Sequence, residues 1–325
     1  IAFDTTAVTT ESGEPDAWSR SVWFAWTPTE RGIGTLSVGC CDAYVFVYTG
    51  DALGSLTRIL SWEQQAELAV TAGTTYWIRI DSGSAFVGTL ELANVPSPPN
   101  DDFADAIAVD PAGGTVAGTT RGATGEAGES AVYHTVWYAW TPSAAGTALV
   151  SRPSGLDVGA FTGSELGGLA PIGSSAGDGV AFRVTGDGTT YRLRVASWEM
   201  LDFALELQIL AAPPNDDLAD AAALPPGASG SVTGTTVGST QEPDEGWTYG
   251  RTVWYSFTPE TTARVSFTTD VGAYVRVFSG SSYATLSTVG ARLAAGTTYL
   301  VSLSDSTGRP FTLSWTLLER PANDD

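Results

Sequence analysis

Oxygen-bearing side chains recur at two places in this sequence, and they are of the types that bind calcium. The first candidate set comprises Asn100, Asp101, Asp102, Glu126 and Glu129. The second candidate set comprises Asn215, Asp216, Asp217, Glu242 and Asp244. Carboxylate and amide oxygens are the hard ligands that Ca²⁺ prefers, so each set is a candidate calcium site. The alternative is that Asn-Asp after Pro-Pro caps a turn or a short helix.

The two cysteines of the chain, Cys40 and Cys41, are neighbours in sequence. Adjacent cysteines bond to each other only through a strained eight-membered ring. A vicinal disulfide therefore competes with free thiols and with a bond to another chain. A partly buried pair of small apolar residues is the plain structural alternative. The sequence leaves these states open, with a disulfide at Cys40 and Cys41 among them.

Few residues in this sequence suggest catalysis. The single histidine, His134, excludes the two-histidine HExxH zinc motif. We also expect no nucleophile elbow to accompany it, so a Ser-His-Asp triad is not predicted. A glycosidase needs only two carboxylates, but nothing singles out a pair among 36 acidic residues. We predict that the chain is not an enzyme and that His134 is a half-exposed strand residue.

The charge balance narrows the range of partners. Acidic residues total 36 against 15 basic residues, giving a net charge of −21, and every basic residue is Arg. Nucleic acids and anionic membranes are recognised by clustered cations, so neither is expected as a partner. A chain without Lys cannot supply a P-loop lysine, a Schiff base or a Lys–Asn isopeptide bond. No apolar run approaches the ~20 residues that span a bilayer, so this segment is not expected to insert into a membrane.

Three copies of one heptad organise the sequence, namely Val22–Pro28, Val136–Pro142 and Val253–Pro259. Two further motifs repeat in step with each other. Asn-Asp-Asp begins at residues 100, 215 and 323, and Gly-Thr-Thr-Tyr begins at residues 73, 188 and 296, so both recur after 115 and then 108 residues. Repeats of this length fit independent domains. We predict tandem domains at residues 1–97, 98–212 and 213–322, with 323–325 opening a fourth repeat or a linker.

The first repeat lacks the segment that opens the other two. Asp101–Val109 and Asp216–Leu224 are Ala-rich and are predicted to form one helical turn, but the chain begins after the corresponding place. Ile1–Thr6 aligns with Thr115–Thr120. Short linkers rich in proline, which favours extended semi-rigid spacers, are predicted at Val95–Pro99, Ala211–Pro214 and Arg320–Ala322.

Period-two alternation predicts an all-β chain of three antiparallel β-sandwich domains, jelly-roll-like or immunoglobulin-like. In the second repeat, strands are predicted at 115–119, 134–141, 146–151, 157–162, 180–185, 190–196 and 203–210. The heptad strands are apolar on both faces and end at proline, so we expect them to be central in their sheets. Trp77, Arg79 and Asp81 alternate with apolar residues, which predicts a solvated face.

Apart from Trp315 on the last strand, the tryptophans outside the heptads are Trp18, Trp62, Trp77, Trp198 and Trp247. Exposed aromatic side chains bind sugars or anchor protein interfaces. Their positions differ between the repeats. This favours contacts between domains or subunits over three equivalent sugar sites.

The order of motifs resembles the bacterial pre-peptidase C-terminal (PPC) domain. Asn-Asp-x-Phe-Ala-Asp-Ala is followed by Gly-Thr-Thr-x-Gly-Ala-Thr, the heptad, Val-Tyr-Thr-Gly and Gly-Thr-Thr-Tyr, although the second repeat shortens the fourth motif to Gly159–Gly163. The resemblance covers nearly the whole chain and implies a secreted or cell-surface bacterial protein. It also implies β-sandwich accessory domains related to the collagen-binding domains of collagenases, some of which hold calcium near the linker.

Two classes of function follow. The first is a non-catalytic extracellular structural protein whose repeats pack head to tail into a surface fibre, stalk or filament, with itself as partner and with possible strand donation. The second is an adhesin, or the substrate-binding accessory region of a secreted peptidase, that recognises an extracellular protein or glycan. Calcium is the one cofactor considered in either case.

Overall fold

A computed structural model describes residues 1–15, 20–39, 43–62, 65–129, 134–175, 179–242, 245 and 250–318. It is an all-β, sandwich-like fold of antiparallel sheets, with 53% strand and 5% helix. Helical structure in the described ranges consists of five short 3-10 turns, at Leu53–Ser55, Phe103–Asp105, Leu166–Gly168, Leu218–Asp220 and Tyr283–Thr285.

Residues of the first repeat form two four-stranded sheets. The strands are β1 (Ala2–Asp4), β2 (Ser21–Trp26), β3 (Gly32–Val38), β4 (Ala43–Thr49), β5 (Thr57–Trp62), β6 (Gln65–Val70), β7 (Tyr76–Ser82) and β8 (Val87–Pro96). The sheet orders are β1-β8-β3-β6 and β2-β7-β4-β5. Strand β8 therefore continues into the first two residues of the predicted linker.

Residues of the second repeat form two five-stranded sheets. The strands are β9 (Ile107–Val109), β10 (Gly114–Thr119), β11 (His134–Trp140), β12 (Ala145–Ser151), β13 (Asp157–Thr162), β14 (Ala170–Ile172), β15 (Ser174–Ser175), β16 (Gly179–Thr185), β17 (Tyr191–Ser197) and β18 (Asp202–Leu210). The sheet orders are β10-β18-β12-β16-β15 and β14-β13-β17-β11-β9. Each strand predicted here from the alternation pattern is present, with ends within about one residue.

Residues of the third repeat form a five-stranded and a four-stranded sheet. The strands are β19 (Ala222–Ala223), β20 (Ser229–Thr235), β21 (Arg251–Phe257), β22 (Ala263–Thr269), β23 (Tyr274–Ser279), β24 (Ser287–Thr288), β25 (Arg292–Leu293), β26 (Tyr299–Asp305) and β27 (Pro310–Leu318). The sheet orders are β19-β21-β26-β23-β24 and β20-β27-β22-β25.

Residue contacts divide the chain into two compact units. The first comprises Ile1–Ile107, Thr119–Trp137 and Ala196–Asp202. The second comprises Ala108–Gly118, Tyr138–Val195 and Phe203–Asp325. Each unit has fully buried apolar residues, such as Val47 and Ile78 in the first and Val301 and Leu313 in the second. Full burial of such a side chain contributes about 1.5–3 kcal/mol.

The heptad strands do not all occupy the same place in their sheets. Strands β11 and β21 each lie between two neighbours, as expected for strands that are apolar on both faces. The prediction of a central position is wrong for β2, which is at the edge of its sheet. Its neighbour in the described part of the chain is β7. Among the described residues of the first repeat, no strand corresponding to β9 or β19 pairs with it.

The predicted solvated face of β7 is also wrong. Arg79 and Asp81 are 0% and 1% exposed, and their side chains form an ion pair with a nitrogen–oxygen distance of 2.7 Å. The Arg79 guanidinium lies 4.6 Å from the ring centre of Phe46 and 5.6 Å from that of Trp23. It also donates a hydrogen bond to the carbonyl of Pro15. Aromatic rings and a crossing loop cover these charges, so alternation signalled polarity but not exposure.

A cross-strand pair of one phenylalanine and one glycine occurs in the first and third repeats, with the two residues exchanged between the strands. Phe3 faces Gly88 across β1 and β8, whereas Gly234 faces Phe311 across β20 and β27. A Cβ atom added to Gly88 would run into the rings of Phe3 and Phe86, and one added to Gly234 would run into the ring of Phe311. Each repeat thus keeps one phenylalanine and one glycine at this cross-strand pair, while the large residue changes strand.

Hydrogen bonds correct the predicted alignment of the first strand by one residue. Thr5 accepts a hydrogen bond from the Phe86 amide at Oγ1. Thr120 accepts one from Leu201 and Thr236 one from Arg309 in the same way. The alignment of Ile1–Thr6 with Thr115–Thr120 had matched Thr6, rather than Thr5, to Thr120. Glu11 consequently corresponds to Glu126.

Candidate functional site

The segments that open the second and third repeats are bound to the heptad strands by the same asparagine contacts. Asn100 donates from Nδ2 to the carbonyl of Trp137 at 2.9 Å and accepts from its amide at 2.9 Å. Asn215 makes the same pair of bonds with Trp254, at 2.9 and 2.8 Å. The asparagine thus binds as an added strand residue would, and it is buried in both places. Asn100 and Asn215, both predicted calcium ligands, therefore use their side-chain amides to bind the backbone of the heptad strands.

The aspartates that follow meet an arginine that the sequence did not single out. We call Arg31, Asp101, Asp102 and Thr124 the first junction. Arg31 contacts both oxygens of Asp102, and its Nη2 lies 2.7 Å from Asp101 Oδ2. Thr124 donates to Asp101 from its amide at 2.5 Å and from Oγ1 at 2.8 Å. The hydrogen bond from Arg31 lowers the pKa of the Asp102 carboxyl.

The second junction consists of Arg183, Asp216, Asp217, Thr240 and Glu242. Arg183 Nη2 lies 2.7 Å from Asp216 Oδ2 and 3.1 Å from Glu242 Oε1, and its Nη1 lies 2.8 Å from Asp217 Oδ2. Thr240 donates to Asp216 as Thr124 does to Asp101, at 2.8 and 3.2 Å. Burial, followed by the hydrogen bond with Asp217, raises the pKa of the Glu242 carboxyl to about 7 against the opposing effect of Arg183.

The two arginines come from different strand positions. Arg31 immediately precedes β3, and Ala145 stands at the matching place in the second repeat. Arg183 lies on β16, where Leu68 of β6 stands in the first repeat. Comparing the repeats with one another therefore could not have identified either residue. Both aspartates that follow asparagine, Asp101 and Asp216, are only 4% exposed at the side chain, so a cationic partner stabilises their charge.

Two equivalent glycines allow close approach of the preceding linker. Gly122 and Gly238 have φ of +73° and +76°, in the left-handed region that favours glycine. A Cβ atom on Gly122 would run into the carbonyl of Pro96, and one on Gly238 into the carbonyl of Ala211. The first repeat has Ala7 at this position. Glycine thus occurs where a linker carbonyl packs against the loop.

A glutamate, half-buried at Glu129 and fully buried at Glu245, supports the heptad tryptophan beside each junction. Trp137 donates from Nε1 to Glu129 Oε1 at 2.6 Å, and Trp254 donates to Glu245 Oε1 at 2.7 Å. Burial raises the pKa of both glutamates. Glu129, a predicted calcium ligand, therefore accepts an indole hydrogen bond, and sequence analysis did not identify its equivalent, Glu245.

An apolar residue of the opening segment covers each of these tryptophans. The rings of Phe103 and Trp137 meet edge to face with centres 5.1 Å apart. Leu218 occupies the corresponding place on Trp254. Glu126 accepts a hydrogen bond from the Phe103 amide at 2.6 Å. The 3-10 turn that begins at Phe103 has no side-chain cap from Asp102, so capping does not explain the acid there.

The structure brings five of the ten predicted calcium residues together, around two arginines. The described residues contain no group of three His, Cys, Asp or Glu side chains able to hold a metal ion. Asp101 and Asp102 share Arg31, and Asp216, Asp217 and Glu242 share Arg183. Asp244 lies outside the described residues. Calcium binding stays a prediction.

His134 lies at the start of β11 and is half-buried. Its Nδ1 donates to the carbonyl of Ala123 at 2.8 Å, and its Nε2 is 3.6 Å from Glu67 Oε2. The expectation that no nucleophile-elbow sequence exists was wrong, because residues 173–177 read Gly-Ser-Ser-Ala-Gly. Ser175 belongs to β15 and pairs with Val180 of β16. That is not the strand-to-helix turn of a hydrolase elbow.

The predicted aromatic contacts differ in exposure. Trp198 is 74% exposed. Trp77 is half-buried and donates from Nε1 to the carbonyl of Gly50 at 2.9 Å. The described residues do not include Trp18, Trp247, Cys40 or Cys41. They include the backbone of Trp62 but not its side chain.

No model of a known protein family matches the sequence, and no curated protein matches it either. The resemblance to the PPC domain stays a prediction that rests on the order of the motifs. Across the described ranges, no helix has the length and apolar character needed to cross a membrane.

Proposed function

We propose that this chain is a non-catalytic structural protein of the bacterial cell surface. Three β-sandwich domains at residues 1–97, 98–212 and 213–322, joined by short Pro-rich linkers, assemble head to tail into a fibre, stalk or filament. Copies of the same chain are its partners. The bacterial, extracellular setting and the relation to PPC domains rest on the order of the motifs, and calcium at the linkers is part of the same proposal.

The observation that carries this proposal is the pair of arginine junctions. Each joins an arginine of one repeat to the acid pair that opens the next, through at least two charged contacts. Each junction also has a glycine that accepts the preceding linker at close range. A ligand-binding array can work without such contacts between consecutive repeats. A fibre or stalk needs them, because free rotation at the linkers would let neighbouring domains take many relative orientations.

Electron microscopy of the native protein tests this function, with and without a calcium chelator. We expect ordered filaments whose repeat matches the length of about three sandwich domains. Loss of order on chelation would assign calcium a role in assembly. Dispersed particles both with and without the chelator would refute the structural function.

The exposure of Trp198 favours a second candidate, an adhesin or substrate-binding accessory domain. Its side chain is 74% exposed on the turn between β17 and β18. Exposed indole rings stack on sugars and anchor protein contacts. Glycan-array and collagen-binding screens with the parent protein and with Trp198→Ala test this candidate. Binding that disappears in the variant would support it.

A further inference from the structure

We propose that the edge of β2 that no described strand covers, together with an adjacent apolar pocket, is a docking site for a peptide of the opening-segment type. Opening segment here means residues 100–109, Asn-Asp-Asp-Phe-Ala-Asp-Ala-Ile-Ala-Val, and their counterpart at 215–224. The peptide would add to β2 as a parallel strand and place its Phe or Leu in the pocket. The site rests on comparison of the repeats, and its role in assembly rests on the proposed function.

The edge of β2 corresponds to an occupied edge in the third repeat. There β19 pairs in parallel with β21, with Ala222 opposite Tyr255 and Ala223 opposite Ser256. The sheet around β21 has five strands and the sheet around β2 has four. A parallel strand of the opening segment is therefore the element that distinguishes the two sheets.

The register directs the backbone of Trp23 towards this edge. Trp23 is opposite Arg79 on β7, as Trp254 is opposite Ser302 on β26. In the third repeat the amide and carbonyl of Trp254 point away from β26 and bond to Asn215. Because antiparallel pairing alternates the direction of these groups, those of Trp23 point away from β7 in the same manner. They are placed to bond an incoming asparagine.

A pocket of about 220 Å³ lies beside this edge and is lined by Glu11, Trp23, Asp51, Ala52, Leu53, Leu56 and Trp77. We call it the Trp23 pocket. Its apolar walls match the residues around Leu218 in the third repeat. There, Leu218 packs among Trp254, Tyr283, Leu286 and Leu300, which correspond in order to Trp23, Leu53, Leu56 and Trp77. The pocket is therefore the place that a Leu or Phe of an opening segment fills elsewhere.

Two polar groups complete the match. Glu11 lines the pocket and is exposed, and its counterpart Glu126 accepts the amide of the apolar anchor Phe103. Thr9 is exposed, whereas its counterpart Thr124 is 6% exposed and bound to Asp101. The backbone of Trp23, the Thr9 hydroxyl, the anchor pocket and the strand edge all belong to one compact unit.

Burial along the heptad strand agrees with this assignment. Trp137 and Trp254 are 1% and 0% exposed, whereas Trp23 and its neighbours on β2 are only half-buried. Native proteins protect apolar strand edges because they recruit other chains. A peptide with the sequence of residues 100–109 fits the edge in hydrogen bonding and in the size of its anchor.

Titration calorimetry with the full 325-residue chain and a synthetic peptide of residues 100–109 tests the proposal. We expect one peptide bound per chain, and slower amide hydrogen exchange in β2. Replacing the anchor in the peptide, Phe103→Asp, should weaken binding by about tenfold or more, since the burial of a Phe side chain is lost. Asn100→Ala in the peptide should weaken it to a smaller extent.

Matched variants of the chain locate the site. Ala52→Trp places a large side chain at the exposed rim of the Trp23 pocket and should abolish binding. Glu165→Trp changes the equivalent exposed residue of the second repeat and should leave binding unchanged. No binding at about 1 mM peptide, equal binding of the Phe103→Asp peptide, or equal binding by Ala52→Trp would each overturn the proposal.

The outcome is independent of filament formation. Peptide binding by a chain that forms no filaments would uphold the docking site and reject the structural function. Filaments from a chain that does not bind the peptide would do the reverse.

Discussion

Trp23 and Trp254 occupy the same place in two copies of one motif, yet their surroundings differ. Trp254 is fully buried, bonded to Glu245 and covered by Leu218. Trp23 is half-buried and lines a pocket. The strand is the same in both, so the difference comes from the opening segment, which supplies one strand and one apolar anchor. A heptad that is apolar on both faces needs cover from outside its own sheet.

Truncation of the two tryptophans should give the largest effect. Trp254→Ala should lower the free energy of unfolding by about 3–5 kcal/mol, since it creates a cavity and leaves Glu245 without the indole donor. Trp23→Ala should cost about half as much, because part of that side chain already contacts solvent. Urea unfolding monitored by far-UV circular dichroism measures both. Equal losses would show that the opening segment does not set the burial of the tryptophan.

The exchange of Phe and Gly between strands offers a second comparison of the first and third repeats. Phe3→Gly should cost about 3–5 kcal/mol through loss of a packed ring, and Gly88→Phe should also destabilise because its Cβ meets that ring. The double variant Phe3→Gly/Gly88→Phe should recover part of the loss, since it recreates the arrangement at Gly234 and Phe311 except for the ring of Phe86, which also lies against Gly88. Additive losses in the thermal unfolding midpoint would contradict this account.

Replacing the arginines distinguishes the two junctions. Arg183→Met leaves three carboxylates without their common partner and should cost about 2–3 kcal/mol; Arg31→Met leaves two and should cost about 1–2 kcal/mol. The exposed pair of Arg121 and Asp202, with side chains 55% and 70% exposed, provides the control. Arg121→Met should change stability by less than about 0.5 kcal/mol. A control loss as large as that of Arg31→Met would refute a special role for the junctions.

The junctions should also respond to pH in opposite directions. The folded-state pKa of Glu242 is raised from 4.5 to about 7. Between these values the folded state binds more protons, so stability falls as pH rises, by about 1–3 kcal/mol. Asp102 has a lowered pKa, so its contribution is present above its ordinary value of 3.8 and is lost on further acidification.

Glu242→Gln checks the sign of this effect. Unfolding of the variant from about pH 4.5 to about pH 7.5 should show a flatter pH profile than the parent chain. Asp102→Asn should instead flatten the profile below about pH 4. A parent chain whose stability rises throughout the upper window, with no change in Glu242→Gln, would contradict the assignment.

Much of the fold could be predicted from the sequence, because strand signals are local. Alternating apolar residues and terminating prolines predicted the strands of the second repeat to within about one residue. The 3-10 turns at Phe103 and Leu218 were also expected from the Ala-rich openings. The equivalence of Asn100 and Asn215 was visible from the repeat alone, and both sit in the same contacts.

The functional interpretation depended on contacts between residues far apart in the chain. An all-β chain with repeated motifs was predictable from the residues alone, since hydrophobic period and turn residues act over short distances. Three features became visible only in the folded chain: Arg31 and Arg183 contact the acid pairs, Arg79 is buried, and Trp23 lines a pocket. Spacing along the chain carries no information on such pairs. Each depends on which surfaces the sheets and loops bring within contact distance.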